Sequence, residues 1–431
     1  MHLTAKVKIY PTEEQLEVLW ELSDRCCSLY NLALAERKEK WKNERKSIKY
    51  LDQQNKLPDF KERNPEYKAV YSKTLQGILK KLDANYKSFF GLRKNGYLDA
   101  RPPDYKSHRF FQTIPYNQSG FYQARNWITF SHKVNDTGLV FDLGKKFENV
   151  KQVEIYNDNP FQAKGNFYIS ITYEVASPEY VDNGLYQAND AGITKIVTAV
   201  NMEGKFFEVK TPRIDKYWQP KIDSLKSRRD HCIGVKKGSK KSRRWLQLHK
   251  NYKIMEKKKS NQLKDFQHKL SLKMVNNTKA NTIVVGDLKV KNMAQSKKQK
   301  GKRKRVMNRS TQNQGYLSRF IEFLAYKAEL IGKRVIKIDE SYTSKMCYVC
   351  GKLHDMPLWK RNMECDCGNF IDRDRNSSIN IMYNFLSQNA LWTSYQIFSD
   401  NLRQTGFPMG LRFLELKPDD ENTRRKLLPQ N

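Results

Sequence analysis

No apolar run in this 431-residue chain approaches the roughly twenty residues with which a helix crosses a bilayer, which argues against a membrane-spanning helix. No secretory signal is expected either, because Lys6 and Lys8 interrupt the first apolar stretch. Cysteine is sparse. Seven residues, an odd number, without a signal argue against a disulfide framework and for a reducing compartment. Cys26, Cys27 and Cys232 then read as ordinary thiols, the first two inside a helix core. Acidic side chains are also few: 46 Asp and Glu stand against 80 Lys and Arg, a formal net charge of +34. Solubility needs far less, so the excess implies a large polyanionic partner, nucleic acid ahead of a membrane surface. The length accommodates two or three domains with real cores.

What is present concentrates near the C-terminus. Cys347 and Cys350 form a Cys-x-x-Cys pair, and Cys365 and Cys367 follow as Cys-x-Cys after fourteen intervening residues. Four thiolates in one small loop are what a structural zinc site requires, and one zinc per chain is expected. Four free buried cysteines are the alternative, but Gly351 and Gly368 follow the second cysteine of each pair and permit tight knuckles. The knot runs directly into Asp372-Arg373-Asp374-Arg375-Asn376.

Along the chain, Leu3, Ala5, Val7 and Ile9 alternate as a strand, and Thr12 with Gln15 has capping-box spacing before the helical stripe Leu16, Leu19, Leu22, Cys26 and Tyr30. Leu75, Ile78, Leu79, Leu82, Tyr86 and Phe89 mark a second helix, beyond a polar connection holding Pro58 and Pro65. Past Pro102 and Pro103 the period becomes two, with strands over 127–130, 139–143 and 167–175, which predicts a small barrel or sandwich completed by the first strand. From about 185 the order is mixed. A strand hairpin opened by Asp190 covers 193–200 and its return, followed by a basic helical stretch over 215–275, a buried strand at 282–285, a helix over 316–330, a strand at 334–338, the knot, and a last helix from about 374. Residues beyond 391 carry no pattern, and those after Pro418 are expected to be disordered.

Strand hairpin, helix, strand, helix, strand, helix is the order of an RNase H-like domain. Such nucleases need three or four acidic side chains, at strand ends and helix starts, converging on two divalent ions. Asp190 and Asp374 meet that requirement by position. Either alone would read as a surface carboxylate or a helix cap.

The residues Asp190-Ala191-Gly192-Ile193, Val284-Val285-Gly286-Asp287-Leu288-Lys289-Val290, Tyr342-Thr343-Ser344-Lys345-Met346-Cys347 and the Asp372–Asn376 run resemble the motifs of TnpB, as do Tyr10-Pro11-Thr12 and Tyr30-Asn31. TnpB proteins are transposon-encoded, RuvC-type, RNA-guided DNA endonucleases related to the type V CRISPR effectors. The resemblance covers the chain to about 385. It implies a multidomain α+β fold: a wedge β-barrel at 1–10 and 106–182, a helical recognition lobe at 11–105, an RNase H-like RuvC domain at 183–345 and 369–390, a zinc-ribbon target-binding insert at 346–368, and a tail at 391–431. It also implies a guide RNA from the transposon end, double-stranded target DNA cut beside a short adjacent motif, two catalytic magnesium ions, and a monomer in the cytoplasm of a prokaryote, associated with its nucleoid.

One position departs from the family. Gly286 stands where the RuvC pattern has its glutamate ligand. Asp287 is adjacent, but successive strand residues face opposite sides. Glu340, just past the strand at 334–338, is the preferred third ligand, since neighbouring strands lie about 4.8 Å apart and its side chain can reach the same metals. Asp190, Glu340 and Asp374 are thus the expected catalytic set, with Asp287 as the alternative and a rearranged active site as the consequence.

Two basic clusters, Lys236, Lys237, Lys240, Lys241, Arg243, Arg244 and then Lys302, Arg303, Lys304, Arg305, read as contacts to guide or target backbone, against a solvated helix face or a localisation signal. The rival function is a nuclease-dead, RNA-guided repressor, which Gly286 favours and the retained acidic and cysteine residues oppose. A strand-joining transposase is weaker, since no matching tyrosine or acidic triad stands out.

Overall fold

The computed structural model describes residues 1–107, 110–159, 165–232, 241–287, 317–357 and 359–407. It divides into two units, Met1–Ala176 and Ser177–Asn431.

In the first unit, β1 (His2–Ile9) alternates inward and outward and leads into α1 (Glu13–Glu44). The capping box forms: Gln15 N–H donates to Thr12 Oγ1 at 3.3 Å and Thr12 N–H to Gln15 Oε1 at 3.1 Å. Leu19, Leu22, Cys26, Tyr30 and Leu34 bury the stripe that follows. The polar connection folds into α2 (Tyr50–Asn55), α3 (Leu57–Arg63) and a 3-10 turn, anchored by buried Leu57 and Tyr67, before α4 (Ser72–Lys94).

The strands of this unit do not close into a barrel, contrary to expectation. β1, β2 (Ile114–Asn117), β6 (Val150–Asn157) and β7 (Phe167–Glu174) make one antiparallel sheet in the order β1-β7-β6-β2, and β3 (Phe121–Ala124), β4 (Trp127–Phe130) and β5 (Leu139–Asp142) make a separate meander. The physical reason lies in the helices. Leu19, Leu22, Leu75 and Ile78 share one core with Ile128, Phe130, Ile155 and Ile171, so the helical stripes cover apolar sheet faces that closure would otherwise have to bury. Close approach is built in at Gly77, where an added Cβ would lie 2.8 Å from the Pro115 side chain.

The second unit is built on five strands in the order β10-β9-β8-β11-β12: β8 (Tyr186–Asp190), β9 (Lys195–Asn201), β10 (Phe206–Lys210), β11 (Thr282–Gly286) and β12 (Arg334–Ile338). The first three are antiparallel, whereas β8, β11 and β12 run parallel. Helices α5 (Ile214–Asp230) and α6 (Arg243–Asn277) carry the basic stretch, followed by α7 (Leu317–Glu329). Met274, Phe320 and Leu324 pack with Ile283 and Val285 on one face, while Ile379, Met382 and Phe385 pack with Ala188 and Val284 on the other. A strand covered on both faces needs an unbroken apolar run, which is how residues 282–285 read.

Two expectations change here. Asp190 closes β8 rather than opening the next strand, because Tyr186 and Ala188 already bury the preceding residues. The last helix, α8 (Arg373–Gln388), is followed by α9 (Trp392–Gln404), where the sequence showed no pattern. Tyr395, Phe398 and Leu402 are buried at helical spacing, a signal that was legible. The expectation for the segment after Pro418 lies outside the described residues.

Candidate active site and metal centre

The parallel strands end together. Asn189 pairs with Val285 and Gly286 with Ile338, so Asp190, Gly286 and the Asp339-Glu340 pair leave the same edge of the sheet. Asp287 N–H extends the ladder to Ile338 C=O at 2.7 Å. The carboxyl ends of parallel strands are where open α/β sheets bind ligands. α8 delivers Asp374 in its first turn, and Asp372 caps that helix by accepting from Asp374 N–H at 2.9 Å and Arg375 N–H at 3.3 Å.

These carboxyls are placed at an electrostatic cost. Burial, then the charges of Asp374 and Glu340, push Asp190 up to about 8, opposed by a hydrogen bond from Ser377 Oγ at 3.1 Å. Burial, then Asp287 and Asp339, push Glu340 up to about 7. Burial also raises Asp374, against the opposing pull of Arg361, whose guanidinium pairs with it. Asp190 therefore senses both of the other expected ligands. The three are not drawn to within 4.8 Å of one another; among the described residues only the cysteine quartet is that compact.

Gly286 and Glu340 interlock. A Cβ on Gly286 would fall 2.1 Å from Glu340 Oε2 and 2.9 Å from Glu340 Cβ, so the glutamate side chain fills the space that a side chain at 286 would enter. Glu340 Oε2 is buried without a hydrogen-bond partner. An orphaned acidic oxygen, on a side chain whose charge is felt by Asp190, is a donor that fits a hard divalent cation. Asp287, by contrast, is exposed.

Several functional candidates were not anticipated from sequence. Lys195 on β9 bridges Glu208 and the cap residue Asp372, both at 3.1 Å, and Arg375 joins Glu208 at 2.6 Å, bracing the start of α8. Arg361, ahead of the hairpin β13 (Asn362–Glu364) and β14 (Phe370–Asp372), was likewise missed. Single charged residues in strands and turns carry no periodic signal.

The cysteines meet as their spacing required. Cys347 and Cys367 Sγ are 3.7 Å apart and Cys350 and Cys365 Sγ 3.4 Å, far from a disulfide and near the roughly 3.8 Å between sulfurs of a tetrahedral zinc–thiolate site. Gly351 and Gly368 adopt left-handed φ of 76° and 85° at the two knuckles. Burial opposes ionisation of Cys365, but the Cys367 N–H and neighbouring side chains outweigh it and bring that thiol to about 6, while burial and the adjacent sulfurs push Cys367 to about 12. Four adjacent sulfurs cannot share negative charge without a cation. The cluster is compatible with zinc.

Of the basic candidates, Lys241, Arg243 and Arg244 are exposed around the start of α6, whose first turn has no acidic residue. Cations there oppose the helix dipole, and an anion would relieve them. Lys236, Lys237, Lys240, Lys302, Arg303, Lys304 and Arg305 lie outside the described residues. Among the described residues no helix is long and apolar enough to cross a membrane.

Known proteins resemble this chain in sequence and in fold. A family profile described as the Cas12f1-like TNB domain matches residues 318–381, and one described as a helix-turn-helix domain matches residues 1–46, where the structure has β1 and the single long helix α1. A Cas12f1 solved with guide RNA and target DNA superposes with a TM-score of 0.56 at 14% identity, covering 86% of this chain and 83% of that one. The protein thus has a multidomain α+β fold resembling that of Cas12f1. A Streptomyces pristinaespiralis protein named as a candidate RNA-guided DNA endonuclease is 26% identical over 89% of this chain and 90% of its own length. A TnpB-like protein of Methanocaldococcus jannaschii is 32% identical over 40% of this chain and 59% of its own. By these comparisons the chain is similar to TnpB-like proteins.

Proposed function

We propose that this protein is an RNA-guided DNA endonuclease of a transposable element, with the five-stranded sheet as its RNase H-like RuvC nuclease core. Asp190, Glu340 and Asp374 would hold two magnesium ions, which supply an activated water and stabilise the departing oxygen when bound. The observation that carries the reading is Glu340, filling the space beside Gly286 with an unpartnered buried oxygen. A chain that lost its glutamate at 286 to become a repressor has no need of that carboxylate.

The remaining residues divide the work. Lys195 and Asp372 orient the start of α8 and so aim Asp374. Ser377 fixes one oxygen of Asp190. The cysteine knot holds one zinc and supports target loading, while guide pairing supplies sequence choice and the basic surface of α6 meets phosphates. The first unit would serve as wedge and recognition lobe, reading the adjacent motif, and the protein would work as a cytoplasmic, nucleoid-associated monomer. With cognate RNA, adjacent motif and magnesium, double-strand cleavage is expected, and Asp190→Ala or Asp374→Ala abolishes it while matched-target binding persists. Tight binding without cutting by the wild type, across several divalent metals, would establish the repressor instead.

A further inference from the structure

The segment between Glu340 and the first knot cysteine, Tyr342-Thr343-Ser344-Lys345-Met346, has no assigned task in the site described above. Thr343 at its centre is 2% exposed and bonded on every side. Its hydroxyl donates to the Glu340 backbone carbonyl at 2.9 Å and lies 3.0 Å from Ser377 Oγ, which donates to Asp190 Oδ1 at 3.1 Å. Its N–H reaches the same Glu340 carbonyl at 3.1 Å. Its own carbonyl accepts from Asn376 Nδ2 at 3.1 Å and Asn380 Nδ2 at 2.8 Å, both on α8. The turn is held in an uncommon shape, with Tyr342 at a left-handed φ of 65°.

We propose that Thr343 is a positioning residue, its hydroxyl setting Glu340 against Asp190 through Ser377 and fastening both to the helix that bears Asp374. The proposal rests on those three carboxylates being the metal ligands. Glu340 follows β12 in a loop, where no strand pairing fixes it; Thr343 supplies the missing constraint through a buried side chain. The proton count is consistent with this role. With Asp190 ionised as a ligand, the Ser377 hydroxyl donates a hydrogen bond to the carboxylate, and the Thr343 hydroxyl donates either to Ser377 Oγ or to the Glu340 carbonyl. In either state the Thr343 N–H retains its bond to that carbonyl, and the Thr343 carbonyl keeps the turn tied to Asn376 and Asn380 of α8. Partners that orient ligands in this way are commonly worth 10- to 100-fold in metal affinity, on the order of one to two decades.

The test uses the full chain with zinc in its knot, and Mn²⁺ as the probe. Thr343→Val keeps the shape and removes the hydroxyl; Thr343→Ser keeps the hydroxyl and removes the methyl. Calorimetry should show Mn²⁺ affinity about 10- to 100-fold weaker for Thr343→Val and within about threefold of wild type for Thr343→Ser, with zinc content unchanged in both. The metal concentration for half-maximal cleavage with cognate RNA should shift in parallel. Wild-type Mn²⁺ affinity in Thr343→Val, or equal losses in Val and Ser, overturns the proposal. If Thr343→Val does not fold, Ser377→Ala breaks the same relay from its other end, and wild-type affinity there is equally fatal. A wild type that binds Mn²⁺ but never cuts sinks the nuclease reading while the Val and Ser affinities still decide on Thr343. A wild type that binds no Mn²⁺ overturns both.

Discussion

Replacing Gly286 by alanine puts a methyl group into space held by Glu340. The added carbon would lie 2.1 Å from Oε2 and 2.9 Å from Cβ of Glu340, where ordinary carbon contacts are about 3.5–4.0 Å. The carboxylate end must therefore move by more than about 1 Å, and the Cβ, which is not a flexible tip, must recede by roughly half that. Gly286 has no left-handed φ, so alanine brings no backbone strain and the effect is purely one of space. Overpacking of this kind costs about 1–3 kcal/mol of stability. A displacement near 1 Å in a reacting constellation costs on the order of 100-fold in rate. Single-turnover cleavage by Gly286→Ala is accordingly expected to fall about 100-fold, with target affinity unchanged and the thermal midpoint lowered by a few degrees. A Gly286→Glu, Glu340→Ala double variant, which returns a carboxylate from β11, should recover part of the activity that Glu340→Ala loses. Cleavage by Gly286→Ala at the wild-type rate would refute the reasoning, because Glu340 could not then be acting from where it lies.

Two further outcomes follow from the site. Asp190 and Glu340 stand at about 8 and about 7 in the folded chain against 3.8 and 4.5 ordinarily, so the native state binds protons that the unfolded state releases. Their contribution to stability is full below the unfolded values and lost as pH rises through the folded ones. Without divalent ions but with zinc retained, the thermal midpoint should decline between about pH 4 and pH 8, less steeply in Asp190→Asn; an identical slope in that variant would contradict the assignment. For the knot, elemental analysis should find about one zinc per chain, and Cys365→Ser should lower metal content and loosen the insert more than the first unit. Freshly purified, reduced protein without zinc would remove that claim.

Legibility in the sequence followed the strength of local constraint. β12 and β4 were read to the residue because their apolar residues sit between polar or turn-forming neighbours. The capping box at Thr12 was equally clear, since its chemistry is local. Asp190 was assigned to the wrong strand: Tyr186 and Ala188 make too short an alternation to stand out, and only the pairing with β11 and β9 defines β8. The barrel failed to close for a reason no strand pattern contains, namely that α1 and α4 bury the sheet faces. At the site, Gly286 advertised a gap, and Glu340 could be guessed as filling it because neighbouring strand ends share an edge. Lys195, Arg361 and Ser377 were silent, and Thr343 stood in a quoted motif without a role. Their roles arise from contacts between elements up to 187 residues apart, as for Ser377 and Asp190.

If Glu340 supplies the carboxylate that Gly286 lacks, neutralising Glu340 must stop cleavage and neutralising Asp287 must not. Glu340→Gln and Asp287→Asn each remove a charge while keeping shape, and both are measured for cleavage and for target binding with cognate RNA and magnesium. The expected result is that Glu340→Gln binds its matched target as the wild type does and does not cut, whereas Asp287→Asn retains most of its activity. Normal cutting by Glu340→Gln with a dead Asp287→Asn would contradict that assignment and move the third ligand to Asp287, just past β11.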